Sequence, residues 1–187
     1  MTIKWVNYNI PGNMFYFIIG FLAYYFLIIF LKKYHIDVNV MIHVFGCFLC
    51  YLCSGENELL YTLFCLLYVI SYIDYKTMNI YESMLIIYLI IMIIYVLRYH
   101  IPITQMWLSY CFVSLLYLLN LRKERIGVGD LYLLTVTSLG LSIIKLCLGI
   151  IIACISGLIY IVITKKERSE CVPFAPFLCF GMILMLM

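Results

Sequence analysis

The sequence predicts an all-α, polytopic membrane protein of about eight transmembrane helices, organised as a single domain over residues 1–187. Three observations carry that prediction. Apolar residues make up 67% of the chain and charged residues 11%, against roughly 45–50% and 25% in a soluble domain. Runs such as Met84 to Leu97 and Ile143 to Thr164 leave no aqueous face. The polar pieces between the runs are short, so no soluble domain remains once the spans are removed, and any chemistry must take place in or at the bilayer. Continuous rather than alternating apolar runs exclude a β-barrel. The net charge of +3 is no argument for nucleic acid, because the basic residues sit in short loops beside spans, as membrane topology requires.

Hydropathy places the spans in order. The first runs from about Asn13 to Leu31 and stops at Lys32 and Lys33; no small-residue cleavage site follows it, so it reads as retained rather than as a signal peptide. The second, about Val38 to Cys53, is short, and the loop after it holds Glu56 and Glu58. The third covers Leu59 to Ile73 and ends at Asp74. The fourth is Ser83 to Leu97 and the fifth Ile103 to Leu121. The sixth begins at Leu131 and runs to about Leu141, the seventh is Leu146 to Thr164, and the eighth is Phe174 to Met187. Gly140, Ser142 and Lys145 separate the sixth from the seventh. One helix through both would overrun the bilayer by about 20 Å.

Basic residues orient the frame. Loops on one side hold Lys32, Lys33, Lys76, Arg122, Lys123, Arg125, Lys165, Lys166 and Arg168, while the other side holds Lys4, Arg98 and Lys145. The first side is therefore expected to be cytoplasmic, with both termini outside. Asp74 then ends a helix arriving at the cytoplasmic face and Asp130 begins one leaving it, which puts two carboxylates at the same depth on the same side.

The nine cysteines lie nearly all inside apolar spans, where thiols behave as small hydrophobes. His43, Cys47 and Cys50 fall at i, i+4 and i+7, with Cys53 one turn on. That spacing suits either a soft metal or simple packing, and packing is the reading the rest of the sequence favours, since no partner cluster appears elsewhere.

An acid at a membrane boundary marks a functional site by default, and here there are two. The bland alternative is a solvated acid, or one paired with Lys76 or Arg125. Glu56, Glu58, Glu82, Glu124, Glu167 and Glu170 read as ordinary loop acids. Two adjacent carboxyls share one proton. The charged member can deprotonate a water and the protonated member can donate to a carbonyl as that water attacks. This is peptide hydrolysis with no covalent intermediate, no metal and no cofactor. The helix dipole favours Asp130 as the starting base and Asp74 as the acid. Gly127, Val128 and Gly129 precede Asp130. Glycine there permits positive φ or close backbone approach, and this stretch could pair with an extended substrate.

Three segments carry a resemblance. Gly127-Val-Gly-Asp130, with Ser138-Leu-Gly-Leu141 beyond it, resembles the Gly-x-Gly-Asp segment of the type IV prepilin peptidases. Asp74-Tyr-Lys-Thr-Met-Asn-Ile80 is similar to that family's other acidic segment, and Val172-Pro-Phe-Ala-Pro-Phe-Leu178 to the proline motif opening its last span. The resemblance covers roughly Leu59 to Met187. It implies an aspartic endopeptidase of the cytoplasmic membrane that removes short basic leaders from prepilin-like or preflagellin-like substrates. Asp74 and Asp130 match the family's catalytic acids. Tyr81 replaces the family's usual proline after Ile80, and Ala175 replaces a glycine. The loop from Lys32 to Asp37 leaves no room for the cytoplasmic insert with paired Cys-x-x-Cys motifs that accompanies N-methylation in bifunctional members. Cleavage without methylation is therefore expected. Other readings are a proton- or cation-coupled transporter or channel subunit, a non-catalytic pilus-assembly subunit, or a presenilin-like intramembrane protease, whose second acid usually follows a tyrosine directly. Here Ile73 stands between Tyr72 and Asp74.

Overall fold

The computed structural model describes residues 12–33, 35–55, 57–121, 126–165 and 172–187, with the side chains of 12–14 left out. The cluster Arg122 to Arg125, together with Lys4, Glu56, Lys166, Glu167, Arg168 and Glu170, lies outside the described residues. The described residues form eight helices: α1 Gly12–Lys32, α2 Val40–Ser54, α3 Glu58–Thr77, α4 Glu82–Tyr99, α5 Ile103–Asn120, α6 Val128–Thr137, α7 Ile143–Thr164 and α8 Ala175–Leu186. Among the described residues there is no strand.

Five of the helices, α1, α3, α4, α5 and α7, are long and apolar enough to cross a membrane. The other three, of 15, 10 and 12 residues, fall below the roughly 17 residues a perpendicular span needs. The shortest, α6, is only about 15 Å long, half a bilayer core. The protein is thus a multi-pass membrane protein in which α6 and α8 are half-length helices held by their neighbours.

The boundaries follow local chemistry. Asn39, Asn57 and Ser142 cap α2, α3 and α7 by accepting first-turn backbone N–H groups, the usual role of such residues at this position. Gly55, Met78, His100 and Lys165 end α2, α3, α4 and α7 in the left-handed conformation. Ser142 also confirms the break between the sixth and seventh segments. Four boundaries lie three or four residues from the hydropathy reading: the end of the third helix, both ends of the sixth, which stops at Thr137, and the start of the seventh at Ile143. The third helix continues one turn past Asp74 to Thr77, and the sixth starts at Val128, so Asp74 and Asp130 both sit inside terminal turns. Hydropathy ends a span at its first charge; the backbone continues until it meets a residue that can close the helix, here Met78, whose N–H bonds the Asp74 carbonyl at 2.8 Å.

The central helix is α3. Over its 18-residue apolar window 61% of residues are buried, against 11–22% in the windows of the other four long helices. It packs against α1, α2, α4 and α8. The short α6 is lodged between α4, α5 and α8, and α8 in turn lies along α7. Area burial is a weak drive between helices in lipid, so close backbone approach and polar contacts carry the packing. At the α7–α8 crossing Gly149, Ala153 and Gly157 face α8, and a Cβ added at Gly181 would overlap the Gly149 carbonyl oxygen. The buried Tyr88 hydroxyl lies 3.2 Å from Thr137 Oγ1, joining α4 to the end of α6. Ser109 Oγ donates to the Leu141 carbonyl at 2.6 Å and joins α5 to the turn before α7.

Candidate active site

Three helix ends meet beside α3: its own last turn, the first turn of α6 and the first turn of α8. Asp74 comes from the first, Asp130 from the second, and the 172–175 motif from the third. Asp74, Asp130, Gly127, Val172, Pro173 and Phe174 all line one cavity of about 600 Å³. The remaining wall is apolar and comes from α5, α6, α7 and α8. The two carboxylates are close enough to feel each other's charge. Asp74 is only 7% exposed, so it is not the solvated boundary acid that is the commonest form of such a residue. Lys76 does not serve as an obvious counter-ion, since its ammonium stands 5.8 Å over the Tyr75 ring centroid.

The backbone N–H of Ala175, the first residue of α8, lies against the Asp74 carboxylate. An N–H at a helix N-terminus is a natural partner for a carboxylate. Asp74 therefore stands between the C-terminal end of α3 and the N-terminal end of α8. A dipole argument that counts α3 alone, and so assigns Asp74 as the acid, misses this second terminus. The proline motif acquires a physical role here. Pro176, at the start of α8, lacks an N–H that would have had no helical partner anyway, and the turn before it aims Ala175 at the acid.

The glycines before Asp130 work by close approach, not by unusual φ. Gly127 has φ −58° and ψ 134° and forms the N-cap of α6. A Cβ on it would stand 3.0 Å from Asp130 Oδ2, in the space that the carboxylate occupies. A Cβ on Gly129 would stand 3.0 Å from Ile80 Cβ and 3.2 Å from its Cδ1. Gly129 is thus where the chain leaving α3 crosses the start of α6, which holds the two acidic segments together. The expected extended edge over Gly127, Val128 and Gly129 is not what forms. Val128 and Gly129 are already helical, because Gly127 supplies the turn one residue earlier. Gly127 and Val128 instead line a second pocket of about 380 Å³ with Asn120 and Ile126, and Gly127 borders the acid cavity as well.

That crossing predicts a specific defect. Gly129→Ala should lower activity and loosen the contact between α6 and Ile80 in the segment leaving α3, since overfilling a packed site costs about 1–3 kcal/mol. Ile80→Ala should restore part of the loss in the double variant. Full additivity of the two changes would show that the contact is unimportant.

Asn120 was not singled out by the sequence, yet it fastens the approach to Asp130. Its Nδ2 donates to the Ile126 carbonyl at 2.9 Å, and its Oδ1 accepts the Ile126 N–H at 2.8 Å. This two-bond clamp closes the loop between α5 and α6. The only signal for it in the sequence is an amide at the end of an apolar run, which by itself reads as an interfacial residue. Cys179, buried in α8, also lies within electrostatic reach of both acids.

His43 stays outside this site, on the far side of α3. Its Nε2 is 3.0 Å from the Gly20 carbonyl oxygen and 3.4 Å from Cys47 Sγ. Among the described residues no three His, Cys, Asp or Glu side chains are grouped to hold a metal.

Comparison with protein families finds a match to the type IV leader peptidase family over residues 61–162. That region contains both acids, the glycines, Ile80 and Asn120. Comparison with curated proteins and with solved structures finds no match.

Proposed function

Since the chain belongs to the type IV leader peptidase family, we propose that it is an aspartic endopeptidase cutting the basic leader from prepilin-like, pseudopilin-like or preflagellin-like precursors at the cytoplasmic face of the membrane. The observation that carries the proposal is the convergence of Asp74 and Asp130 on one cavity at the meeting of α3, α6 and α8. One carboxylate takes a proton from water, and the other donates a proton to the scissile carbonyl as the water adds to it. On collapse of the tetrahedral species the carboxyl that took the water proton gives it to the leaving amine, while the other carboxylate takes the proton of the gem-diol hydroxyl, so the pair holds one proton throughout. Gly127, Val128 and Gly129 border the path of the substrate backbone, where a side chain larger than hydrogen at 127 or 129 would obstruct the acid or its neighbour. The negative pair suits a leader carrying Lys and Arg.

The test uses the purified protein in proteoliposomes with a leader-bearing pilin precursor, scoring the product by mass spectrometry. The expected result is a single cut at the end of the leader. Intact precursor under conditions where the folded protein is verified would contradict the proposal. The rate should also fall on the acid side of the profile. The base must be ionised to act, so as the pH drops through the carboxylate range the second proton binds and activity is lost. A rate that is flat, or that rises toward low pH, would remove the two-acid mechanism.

A further inference from the structure

The acid cavity has two kinds of wall, and the difference assigns a route for the substrate. One side is formed by the carboxylates and the 172–174 turn. The other is apolar, built by Leu116 of α5, Leu134 of α6, and Ile150 and Cys154 of α7. α7 packs along α8 through Gly149, Ala153 and Gly157, but meets α5 over only a short stretch. Cys154 is exposed, and the neighbouring Ile151 and Ile155 are each 52% exposed. The cavity is therefore sealed by a tight helix pair on the α8 side and bordered by lipid-facing apolar surface on the α5 side.

The geometry points to the cleft between α5 and α7 as the place where the apolar segment directly following the scissile bond lies during cutting. This inference rests on the leader-peptidase reading. The occupant is fixed by complementarity. The cavity is acidic at one end and apolar at the other, so the segment that complements it is basic before the scissile bond and apolar after it. An apolar segment already in the bilayer can enter sideways between α5 and α7 and bring its first peptide bond to the two acids, without crossing an aqueous surface.

Cys154 allows the cleft to be read directly, and Cys111 on α5 is an internal control, since it is exposed but does not line the cavity. The probe is a synthetic peptide with a Lys/Arg-rich leader ending in Gly, joined to roughly 20 apolar residues, the length of one span. A second peptide carries the same leader and a short polar tail. Modification of both thiols by N-ethylmaleimide is followed by mass spectrometry in proteoliposomes, using Asp74→Asn protein so that bound peptide persists. At a saturating level of the long peptide, Cys154 should react at least about fivefold more slowly, matching its occupancy, while Cys111 keeps its rate and the short peptide protects neither. Wild-type protein provides a second readout: Ile150→Trp should raise the KM of the long peptide relative to that of the short one. Equal Cys154 reactivity with the long peptide verifiably bound, or an unchanged KM ratio, would overturn the cleft assignment and leave the peptidase standing. Wild-type protein that cuts neither peptide nor a natural precursor would overturn the peptidase reading and this inference with it.

Discussion

Asp74→Asn and Asp130→Asn are each expected to lower leader removal by at least about 10³-fold, the scale of a lost general acid or base, while the eight-helix structure is kept. The change is nearly isosteric. In Asp74→Asn the amide oxygen can still accept from the Ala175 N–H, and a neutral group at a site that is 7% exposed has less desolvation to overcome than a carboxylate. Loss of activity would therefore report chemistry and not unfolding. In the proposed mechanism the acids act as one unit, so the double variant should be little worse than either single one. Processing assayed beside a thermal unfolding measurement separates the cases. Activity surviving in either single variant would mean that the residue is not part of the catalytic pair. Loss in both, with stability unchanged, would also set aside the transporter and assembly-subunit readings, which require no peptide-bond chemistry.

Gly181→Leu should be the most damaging substitution away from the acids. The α7 and α8 backbones touch at this point, and even a methyl group at 181 would overlap the Gly149 carbonyl oxygen. Neither atom belongs to a flexible side-chain end, so the helices must separate. A loss of about 3 kcal/mol or more is expected, at the upper end of overpacking effects, seen as a lowered unfolding midpoint in detergent. Activity should fall with it, because Pro173 and Phe174 lead directly into α8, whose first N–H, at Ala175, faces Asp74. Gly157→Ala is the matched control. A Cβ there meets the Phe177 ring at 3.5 Å, an ordinary contact, and should change stability by less than about 1 kcal/mol. Equal tolerance at both positions would show that the α7–α8 contact is looser than described.

Much of the frame was legible from the sequence because hydropathy and capping are local. The spans at α1, α3, α4, α5 and α7 and the break at Ser142 depend on composition within a window and on one capping hydroxyl. Asp74 and Asp130 stood out because charge is rare beside apolar runs. The eighth segment was legible to within a residue at each end, but α6, expected from Leu131 to Leu141, was displaced by about one turn. A hydropathy window measures how apolar a stretch is, whereas α6 ends at Thr137, where buried Tyr88 lies against its hydroxyl. The Gly129–Ile80 crossing, the Asn120 clamp and the Gly149–Gly181 contact were not legible at all. Each is a pairing between residues far apart in the chain, and neither partner differs in type from an ordinary loop or helix residue. The glycines were noticed, but their packing was not legible: they yield space to Asp130 and Ile80, and Val128 and Gly129 are helical.

The central claim is that residues 74 and 130 approach closely enough to act on one water. The most direct measurement places cysteines at both positions, Asp74→Cys with Asp130→Cys, and treats the membrane-embedded protein with a short bis-methanethiosulfonate cross-linker, which forms a disulfide with each thiol and releases methanesulfinate. Mass spectrometry of the digest identifies the linked peptides. A link within one chain between the peptides holding residues 74 and 130, absent from both single variants, is the predicted result. Efficient modification of both cysteines without that link would contradict the account.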